Sequence, residues 1–303
     1  MKLRVVNEWD VLDTVIVGTA ASMGGTPTVA ESYDPKSKEH IRAGTFPTEA
    51  DCQRELNGLA SLLESHGVRV LRPNTLQDVN QLFARDVGAV VEDRLVATRM
   101  IEDRAAEWEG IAPLLSGVSD SHILRPPAGV RIEGGDVMPM NGELWVGYSA
   151  PEDFDTYTTS RTNEAALDWL SDQFPDWNLR GFQLTKSDED PRANALHLDC
   201  CLSVLSGGHA LVHLDGLKLA EDRAFIETRF AGQMHGLDAQ AMYDMQCNLI
   251  SITPFDVVSC PSFESVNQQL ETWGYHVHAT PMKETAKMEG LLRCVTMPLH
   301  RKA

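Results

Sequence analysis

The chain has 303 residues, of which 43% are apolar, so it can bury a substantial core in one large domain or two ordinary ones. A formal net charge of −18 and an isoelectric point near 4.9 argue against nucleic acid and anionic membranes as partners, because neither gains from an acidic surface. Six scattered cysteines without a Cys-x-x-Cys pair, and an N-terminus without an apolar signal segment, predict a reduced, cytoplasmic protein.

A pattern that predicts a β-hairpin, two short apolar runs joined by a turn, occurs four times in the chain. Asn141-Gly142 is the strongest of the turn signals, because both residues accept the left-handed backbone of a type I′ turn. The predicted hairpins are 87–98, 137–147, 200–214 and 249–259. The polar residues that lead into them, at intervals of 50, 63 and 49 residues, are Asp86, Asp136, Asp199 and Asn248. A period near fifty residues indicates a repeat architecture.

Helical patterns follow most of these hairpins, and each leads to a further strand. The predicted helices are 50–66, 162–174 and 262–273. Two long segments, 20–48 and 150–160, are rich in Gly, Pro, Thr, Ser and Asp and are predicted to be surface loops that can cover a site. Each repeat thus mixes hairpin, helix and strand, and no flexible linker divides the chain, which predicts one catalytic domain over 1–303.

The leading polar residues converge in one pocket if the repeats surround a common axis. That pocket would hold Asp86, Glu133, Asp136, His197, Asp199 and Cys294. Several acids in a buried pocket are costly unless a cation balances them. A planar guanidinium pairs well with carboxylates, so the residues predict a site for a small cationic guanidino compound.

The groups in this pocket predict a nucleophilic mechanism. Cys294 as a thiolate attacks the guanidinium carbon, and protonated His197 donates a proton to the departing amine. Glu133 orients the imidazole and favours its charged form, while Asp86 and Asp199 grip the guanidinium nitrogens. The product of the first step is a covalent thiouronium, which water or a second amine then resolves.

Several motifs resemble those of the guanidino-group-modifying enzymes of the pentein superfamily, which include arginine deiminases, dimethylarginine dimethylaminohydrolases and amidinotransferases. The motifs lie at 80–86 (NQLFARD), 133–136 (EGGD), 160–163 (SRTN), 197–199 (HLD) and 293–299 (RCVTMPL). The start of the chain, at 7–18, is similar to amidinotransferases, whereas the cysteine motif is similar to the hydrolases. This resemblance implies an α/β fold, a five-bladed pseudo-symmetric α/β propeller of hairpin–helix–strand repeats.

The resemblance also implies roles for individual side chains. Asp86 would bind the guanidinium, and Asn80 and Phe83 would touch the substrate as well. Arg161 would contact a substrate carboxylate, while Asp136 joins the substrate-binding acids. No cofactor and no metal are expected, because nothing near the cysteines completes a zinc set.

Three functions stay open on the sequence. The first is hydrolysis of a guanidino C–N bond, the second is transfer of the amidino group from arginine to an amine, and the third is non-catalytic guanidinium binding. The hydrolase-like context of Cys294 favours the first. The substrate and the oligomeric state, a homo-oligomer included, are not fixed by these residues.

Two further expectations concern residues outside the predicted mechanism. Cys200 and Cys201 are expected to pack within a strand, as apolar cysteines usually do. Arg99 and Arg104 are expected to be exposed and to form surface ion pairs, with binding of a substrate carboxylate as the alternative.

Overall fold

Five three-stranded sheets build the protein, and the computed structural model describes all residues, 1–303. Each sheet has an antiparallel pair of strands and a third strand parallel to the second. In the first sheet the C-terminal strand β15 pairs with β1, so the two ends of the chain complete the fifth unit. The strands are β1 (Val11–Val17), β2 (Arg69–Leu71), β3 (Gly88–Val91), β4 (Arg94–Ala97), β5 (Ile123–Leu124), β6 (Val137–Met140), β7 (Glu143–Tyr148), β8 (Asn178–Gln183), β9 (Leu202–Val204), β10 (Ala210–Val212), β11 (Met234–Gly236), β12 (Ile250–Ser251), β13 (Asp256–Ser259), β14 (His276–Ala279) and β15 (Thr296–Lys302).

A helix lies in every crossover between the second and third strands of a sheet, as a parallel connection requires. The helices are α1 (Pro35–Arg42), α2 (Glu49–Ser65), α3 (Ala84–Val87), α4 (Glu107–Ile111), α5 (Pro151–Thr156), α6 (Ala165–Gln173), α7 (Leu198–Cys201), α8 (Ala220–Arg229), α9 (Ala239–Tyr243) and α10 (Glu264–Thr272). The crossover helices are α2, α4, α6, α8 and α10. The five units therefore share one plan, and the predicted pseudo-symmetric five-bladed α/β architecture is confirmed. The longest helix, α2, has 17 residues, and none of the helices combines the length and the apolar character needed to cross a bilayer.

The predicted hairpins form where local turn chemistry directs them. Asn141 and Gly142 have φ values of 52° and 91°, the left-handed pair that a type I′ turn requires, and Met140 pairs with Glu143 across it. The predicted helix at 50–66 is α2, which begins after the N-cap Thr48. The predicted helix at 162–174 starts three residues later, because the backbone of Thr162 is held to Ser149.

Three expectations about local structure are wrong. Cys200 and Cys201 are buried but belong to the single helical turn α7 that precedes β9, not to a strand. The segment 20–48 contains α1, which begins with Asp34 as N-cap and Pro35 at the first helical position. The segment 150–160 contains α5, where the Asp153 carboxylate accepts a hydrogen bond from the backbone N–H at position 150.

A buried arginine links the units at the centre of the molecule. The Arg293 guanidinium donates to both carboxylate oxygens of Glu8, at 3.0 and 3.2 Å, and to Asp199 Oδ2 at 2.7 Å. Its remaining hydrogen bonds go to the carbonyl oxygens of Gly135 and Val137. The next residue in the chain, at 294, is the predicted nucleophile, so this arginine fixes the turn that carries it.

Gly134→Ala tests how closely two of these units approach. A Cβ at position 134 would lie 2.0 Å from the carbonyl oxygen of Arg85, a backbone atom that cannot move aside. We expect a loss of about 2 kcal/mol or more in the free energy of unfolding, measured by thermal and urea denaturation. Gly236→Ala is the matched control, since its added methyl group meets no atom within 4 Å. Equal stability of the two variants would contradict this close approach.

Candidate active site

A cavity of about 1160 Å³ lies where the polar residues converge. The predicted residues that line it are Asn80, Phe83, Asp86, Arg161, His197 and Cys294. Glu133, Asp136 and Asp199 are fully buried and are not among its lining residues. The site therefore has an inner layer that faces the cavity and a set of acids behind it.

Short turns before the first strand of each sheet place these side chains. Asp86 lies in α3, directly before β3, and Asp199 lies in α7, directly before β9. His197 is the N-cap residue of α7 and has an extended backbone. Cys294 follows the same rule, because it lies two residues before β15. Equivalent turns of different units thus supply the site.

His197 is surrounded by carboxylates. Its Nε2 lies 2.8 Å from Glu133 Oε2, and its Nδ1 lies 3.7 Å from Asp86 Oδ1. Burial alone would lower the pKa of His197, but the charges of Asp86, Asp136 and Glu133 raise it to about 10. The imidazole is therefore protonated at neutral pH, and its Nε2–H donates to Glu133.

Glu133 is balanced by two buried arginines. Its carboxylate accepts from Arg161 Nη1 at 3.3 Å and from Arg104 Nη1 at 3.4 Å. Burial would raise the pKa of Glu133, yet Arg161, His197 and Arg104 hold it far below its usual value. Glu133 is thus a permanent anion beside the imidazolium.

Arg104 corrects an expectation and adds a residue to the site. It was expected to be exposed, but it is 3% exposed and lines the cavity, whereas Arg99 is exposed as expected. Its guanidinium makes a bidentate ion pair with the Glu107 carboxylate and donates to Asp86 Oδ2 at 2.8 Å. Glu107 is three residues away in the chain, but Asp86 and Glu133 are 18 and 29 residues away, so only the tertiary structure reveals that Arg104 reaches the site.

Asp86 keeps one oxygen free. Its Oδ2 is paired with Arg104, but Oδ1 is buried and has no hydrogen-bond donor in the protein, since His197 Nδ1 lies 3.7 Å away, beyond hydrogen-bond distance. A buried carboxylate oxygen without a donor is costly, and it favours a ligand that supplies N–H groups. This oxygen marks where a cation can bind in the cavity.

Asn248 holds Cys294 in place, a role that sequence reasoning missed. Its side-chain Oδ1 accepts from the backbone N–H groups of Arg293 and Cys294, at 2.9 and 3.1 Å. Because Oδ1 has these two donors, the NH₂ end is directed to the sulfur, and Nδ2 lies 3.1 Å from Cys294 Sγ. The sequence offered one signal for this role: Asn248 directly precedes the fourth repeat, as Asp86 precedes the first.

Asp199 lies behind the cysteine. Its carboxylate oxygens are 3.7 and 3.8 Å from Cys294 Sγ, and Oδ2 is paired with Arg293. The acid therefore reaches the site beside the sulfur, while its charge is partly balanced from the other side. Burial would lower the pKa of Arg293, but Glu8 and Asp199 hold it well above its usual value.

Of the other residues predicted to bind the substrate, three line the cavity and one does not. Phe83 packs over Gly290, where an added Cβ would lie 2.2 Å from the ring, and Asn80 lies beside it on the cavity wall. Arg161 lines the cavity, and its Nε is buried without an acceptor. Asp136 does not line the cavity, and the predicted substrate contact is not what the geometry gives.

Asp136 instead anchors the turn that presents His197. Its Oδ1 accepts from the backbone N–H of Leu198 at 2.9 Å, and its Oδ2 accepts from the hydroxyl of Thr162 at 2.5 Å. Burial raises the pKa of Asp136 to about 6, against the opposing effect of the imidazolium. Both oxygens of Asp136 are therefore occupied, by the first turn of α7 and by Thr162, and the side chain does not line the cavity.

Two groups of side chains lie close enough to hold a metal ion, with donor atoms within 4.8 Å of one another. They are Asp86–Glu133–His197 and His197–Asp199–Cys200. In the first group Glu133 already accepts from two guanidinium groups, and in the second Asp199 is paired with Arg293. These arginine charges oppose a further cation at the same oxygens.

Known proteins that are similar to this chain include an amidinotransferase and an arginine dihydrolase. An uncharacterised protein of Bacillus subtilis, YkgA, is 28% identical over 247 residues, which cover 80% of this chain and 78% of that protein. The structure is similar to SxtG, an amidinotransferase from Microseira wollei, with a TM-score of 0.75, 17% identity and coverage of 99% of this chain and 98% of that one. It is also similar to the N-terminal domain of ArgZ, a cyanobacterial arginine dihydrolase, with a TM-score of 0.77, 17% identity and coverage of 95% and 98%.

The match to a family covers most of the chain. Residues 32–301 match the family described as N,N dimethylarginine dimethylhydrolase, eukaryotic. The matched range includes all the predicted site residues, from Asn80 to Cys294, whereas the part of the cavity wall before residue 32 lies outside it. The chain belongs to this family, within the guanidino-group-modifying enzymes of the pentein superfamily.

Proposed function

We propose that the protein hydrolyses a guanidino C–N bond of arginine or a closely related compound, with Cys294 as the nucleophile. One observation carries the proposal: Cys294, His197 and Asp86, whose Oδ1 has no hydrogen-bond donor in the protein, line the same cavity. They supply a nucleophile, a proton donor and an anion for a planar cation. The likeness to the arginine dihydrolase ArgZ supports arginine or a relative as the substrate.

The first half of the reaction follows from these positions. Asp86 Oδ1 accepts N–H groups of the substrate guanidinium, whose carbon then lies against Cys294 Sγ. The amide of Asn248 donates to the sulfur, an interaction that is stronger with a thiolate than with a thiol. As the S–C bond forms, His197 gives its proton to the departing nitrogen, and the C–N bond breaks to leave a thiouronium on Cys294.

The second half uses the same imidazole in its neutral form. His197 takes a proton from water as the oxygen attacks the thiouronium carbon. The S–C bond breaks to restore the thiolate, the second proton of the water is released to solvent, and the ureido product leaves. Glu133 stabilises the imidazolium in both halves, because its carboxylate is ionised and lies 2.8 Å from the ring. We propose that residues 1–303 act as one cytoplasmic catalytic domain, since the first-strand turns of all five units contribute to the site.

The runner-up function is transfer of the amidino group from arginine to an amine. The similarity to the amidinotransferase SxtG over 99% of the chain favours it, as does the likeness of residues 7–18 to amidinotransferases. The two functions share attack by Cys294 on the guanidinium carbon but differ in which C–N bond then breaks. Hydrolysis to citrulline expels ammonia or a methylamine, and water attacks a thiouronium that still carries the ornithine part. Amidino transfer expels ornithine and leaves an amidino group on the sulfur, which the amine attacks.

The direct test is turnover of L-arginine and its ω-methylated forms, followed by mass spectrometry with and without glycine as amine acceptor. We expect citrulline, with ammonia or a methylamine, to form without an acceptor. Acid-quenched protein should carry at Cys294 a thiouronium of the substrate's mass less ammonia or the methylamine, whereas an amidino adduct alone would indicate transfer. Cys294→Ser should lower the rate by a factor of about 10³ or more. Cys260→Ser is the matched control, because Sγ of Cys260 already lies 3.3 Å from the Ser262 hydroxyl and a serine finds the same partner.

The other outcomes of this assay are equally informative. A guanidinylated product that appears only when glycine is present would replace hydrolysis by amidino transfer. Turnover that survives Cys294→Ser would exclude the cysteine as nucleophile. Failure of every guanidino compound to react or to modify the protein would refute the proposed activity.

The pH dependence should report the imidazole. His197 has a pKa of about 10, so its protonated form is present at neutral pH and is lost as the pH rises through that value. We expect kcat/KM to fall on the alkaline side near pH 10. Glu133→Gln removes a stabilising anion and should move this alkaline limb to lower pH, whereas Glu143→Gln, near the surface, should leave it in place. An unchanged limb in Glu133→Gln would contradict the assigned pairing.

Asn248→Asp tests the hydrogen bond to the sulfur. The substitution keeps an acceptor for the two backbone N–H groups but places a carboxylate oxygen against Sγ. We expect kcat to fall by about 10–100-fold, the equivalent of one charge-assisted hydrogen bond, with a smaller change in KM. The rate of alkylation of Cys294 by iodoacetamide at pH 7 should fall in parallel. A normal alkylation rate would show that the amide does not support the thiolate.

A further inference from the structure

A buried lysine lies beside the segment that carries His197. Lys186 is 8% exposed and follows β8, the third strand of the sheet that begins with β6. Its ammonium donates to the carbonyl oxygens of Ala195 and Leu196, at 2.9 and 2.8 Å. These are the two residues directly before His197, so the lysine holds the chain that leads into the imidazole.

The backbone on either side of this lysine holds the same segment. The carbonyl oxygen of Thr185 accepts from the backbone N–H of Ala195 at 2.9 Å. The backbone N–H of Ser187 donates to Asn194 Oδ1 at 3.2 Å. The lysine is therefore the central part of a short clamp on the chain before the imidazole.

Asp136 holds His197 from its other side and belongs to the same unit as Lys186. Its Oδ1 accepts from the backbone N–H of Leu198 at 2.9 Å. Burial lowers the pKa of Lys186, and the negative charge of Asp136 opposes this effect. A cation and an anion of one unit thus fix the backbone before and after the ring, which belongs to the next unit.

The chemistry of the clamp requires a cation with several donors. An ammonium has three N–H groups, so one lysine can satisfy two adjacent carbonyl oxygens. Ala195 and Leu196 are buried, at 0% and 7% exposure, and without Lys186 their carbonyl oxygens would lose this donor. Since buried carbonyl groups are costly to leave unpaired, the chain before His197 would rearrange.

We propose that Lys186 is a positioning residue for the reaction: through the carbonyl groups of residues 195 and 196 it sets the place of the His197 imidazole as proton donor. Lys186 does not line the cavity, so it acts through the imidazole and not on the substrate. This inference rests on the proposed function and deepens it. Cys294 is held by other residues, so its attack does not depend on this lysine.

The test compares two departing groups in Lys186→Met. Nω-methyl-L-arginine releases an amine, which takes the proton of His197 as the C–N bond breaks. In the S-methyl isothiourea analogue of L-arginine the C–S bond breaks instead, and the methanethiolate leaves without this proton and is protonated by solvent. A displaced imidazole therefore slows the release of the amine and not that of the thiol.

The first turnover isolates this step, because the later attack of water also uses His197. We measure the released amine or thiol by rapid quench and mass spectrometry. In Lys186→Met we expect the first turnover of Nω-methyl-L-arginine to slow by about 10–100-fold. That of the isothiourea should change less than about 3-fold, as should KM for both compounds, since Asp86 and Cys294 keep their places.

Lys36→Met is the matched control. Lys36 is 3% exposed and its ammonium donates to the carbonyl oxygen of Tyr243, so the same buried charge is removed from a different segment. The ratio of the two first-turnover rates should keep its wild-type value. Lys186→Gln, whose shorter side chain keeps N–H donors, serves if Lys186→Met does not fold, and should change the ratio in the same direction.

Nuclear magnetic resonance of the histidine rings gives a second readout that needs no turnover. In protein labelled with ¹⁵N-histidine, the proton on Nε2 of His197 should resonate downfield because it is hydrogen-bonded to Glu133, and His197→Asn assigns it. We expect this resonance to shift or broaden in Lys186→Met and to stay in place in Lys36→Met.

The outcomes separate this inference from the proposed function. Equal losses with both departing groups would show that Lys186 only supports the fold, and the same change of ratio in Lys36→Met would equally overturn the proposal. If the wild type turns over neither compound, the proposed function fails, and the resonance of the His197 ring decides by itself. A changed resonance in Lys186→Met alone supports the positioning role, and an unchanged one overturns it.

Discussion

The buried guanidinium of Arg293 is the interaction on which the site depends. A charge in the interior is tolerated only when its donors are satisfied, and all those of Arg293 are, by Glu8, Asp199 and two carbonyl oxygens. Burial would raise the pKa of Glu8, but Arg293 and Arg85 lower it to about 2, so the pair stays ionised. Two of the groups that accept hydrogen bonds from Arg293 lie close in sequence to the proposed catalytic residues. Asp199 follows His197 by two residues, and Gly135 follows Glu133 by two. The guanidinium of Arg293 thereby sets the relative positions of Cys294, the proposed nucleophile, the His197 imidazole and the Glu133 carboxylate.

A second balance of charge operates at the cavity itself. Glu133 and Asp86 would repel each other if they were alone, yet Arg104, Arg161 and the imidazolium of His197 hold both in place. The pairing leaves one oxygen of Asp86, a residue that lines the cavity, without a hydrogen-bond donor. Such a fixed arrangement of charges needs no reorganisation when a cation binds, which is the form of electrostatic preorganisation that enzymes use.

The parts of this structure that could be predicted from the sequence are those decided by local chemistry. The Asn141-Gly142 turn and the capped helix α2 formed as expected, because a few neighbouring residues decide them. The run from Cys200 was predicted as strand, because a short buried apolar run has the same pattern in a strand and in one helical turn. Arg104 and Asn248 could not be assigned in this way, since Glu133 and Cys294, their respective partners, come from neighbouring units and only the packed sheets bring them together.

The two segments that were expected to be surface loops form part of the cavity wall, and this has a consequence for the reaction. Tyr33 and Asp34 lead into α1, while Phe154 and Tyr157 belong to α5 or follow it, and all four line the cavity. In the proposed reaction, attack on the guanidinium carbon uses the residues beneath this wall: Cys294, His197 and Asp86. The wall then contacts the parts of the substrate beyond its guanidinium group. Hydrolysis and amidino transfer would use the same three residues, so we expect the difference between them to lie in the wall, whose helices α1 and α5 the repeat itself does not require.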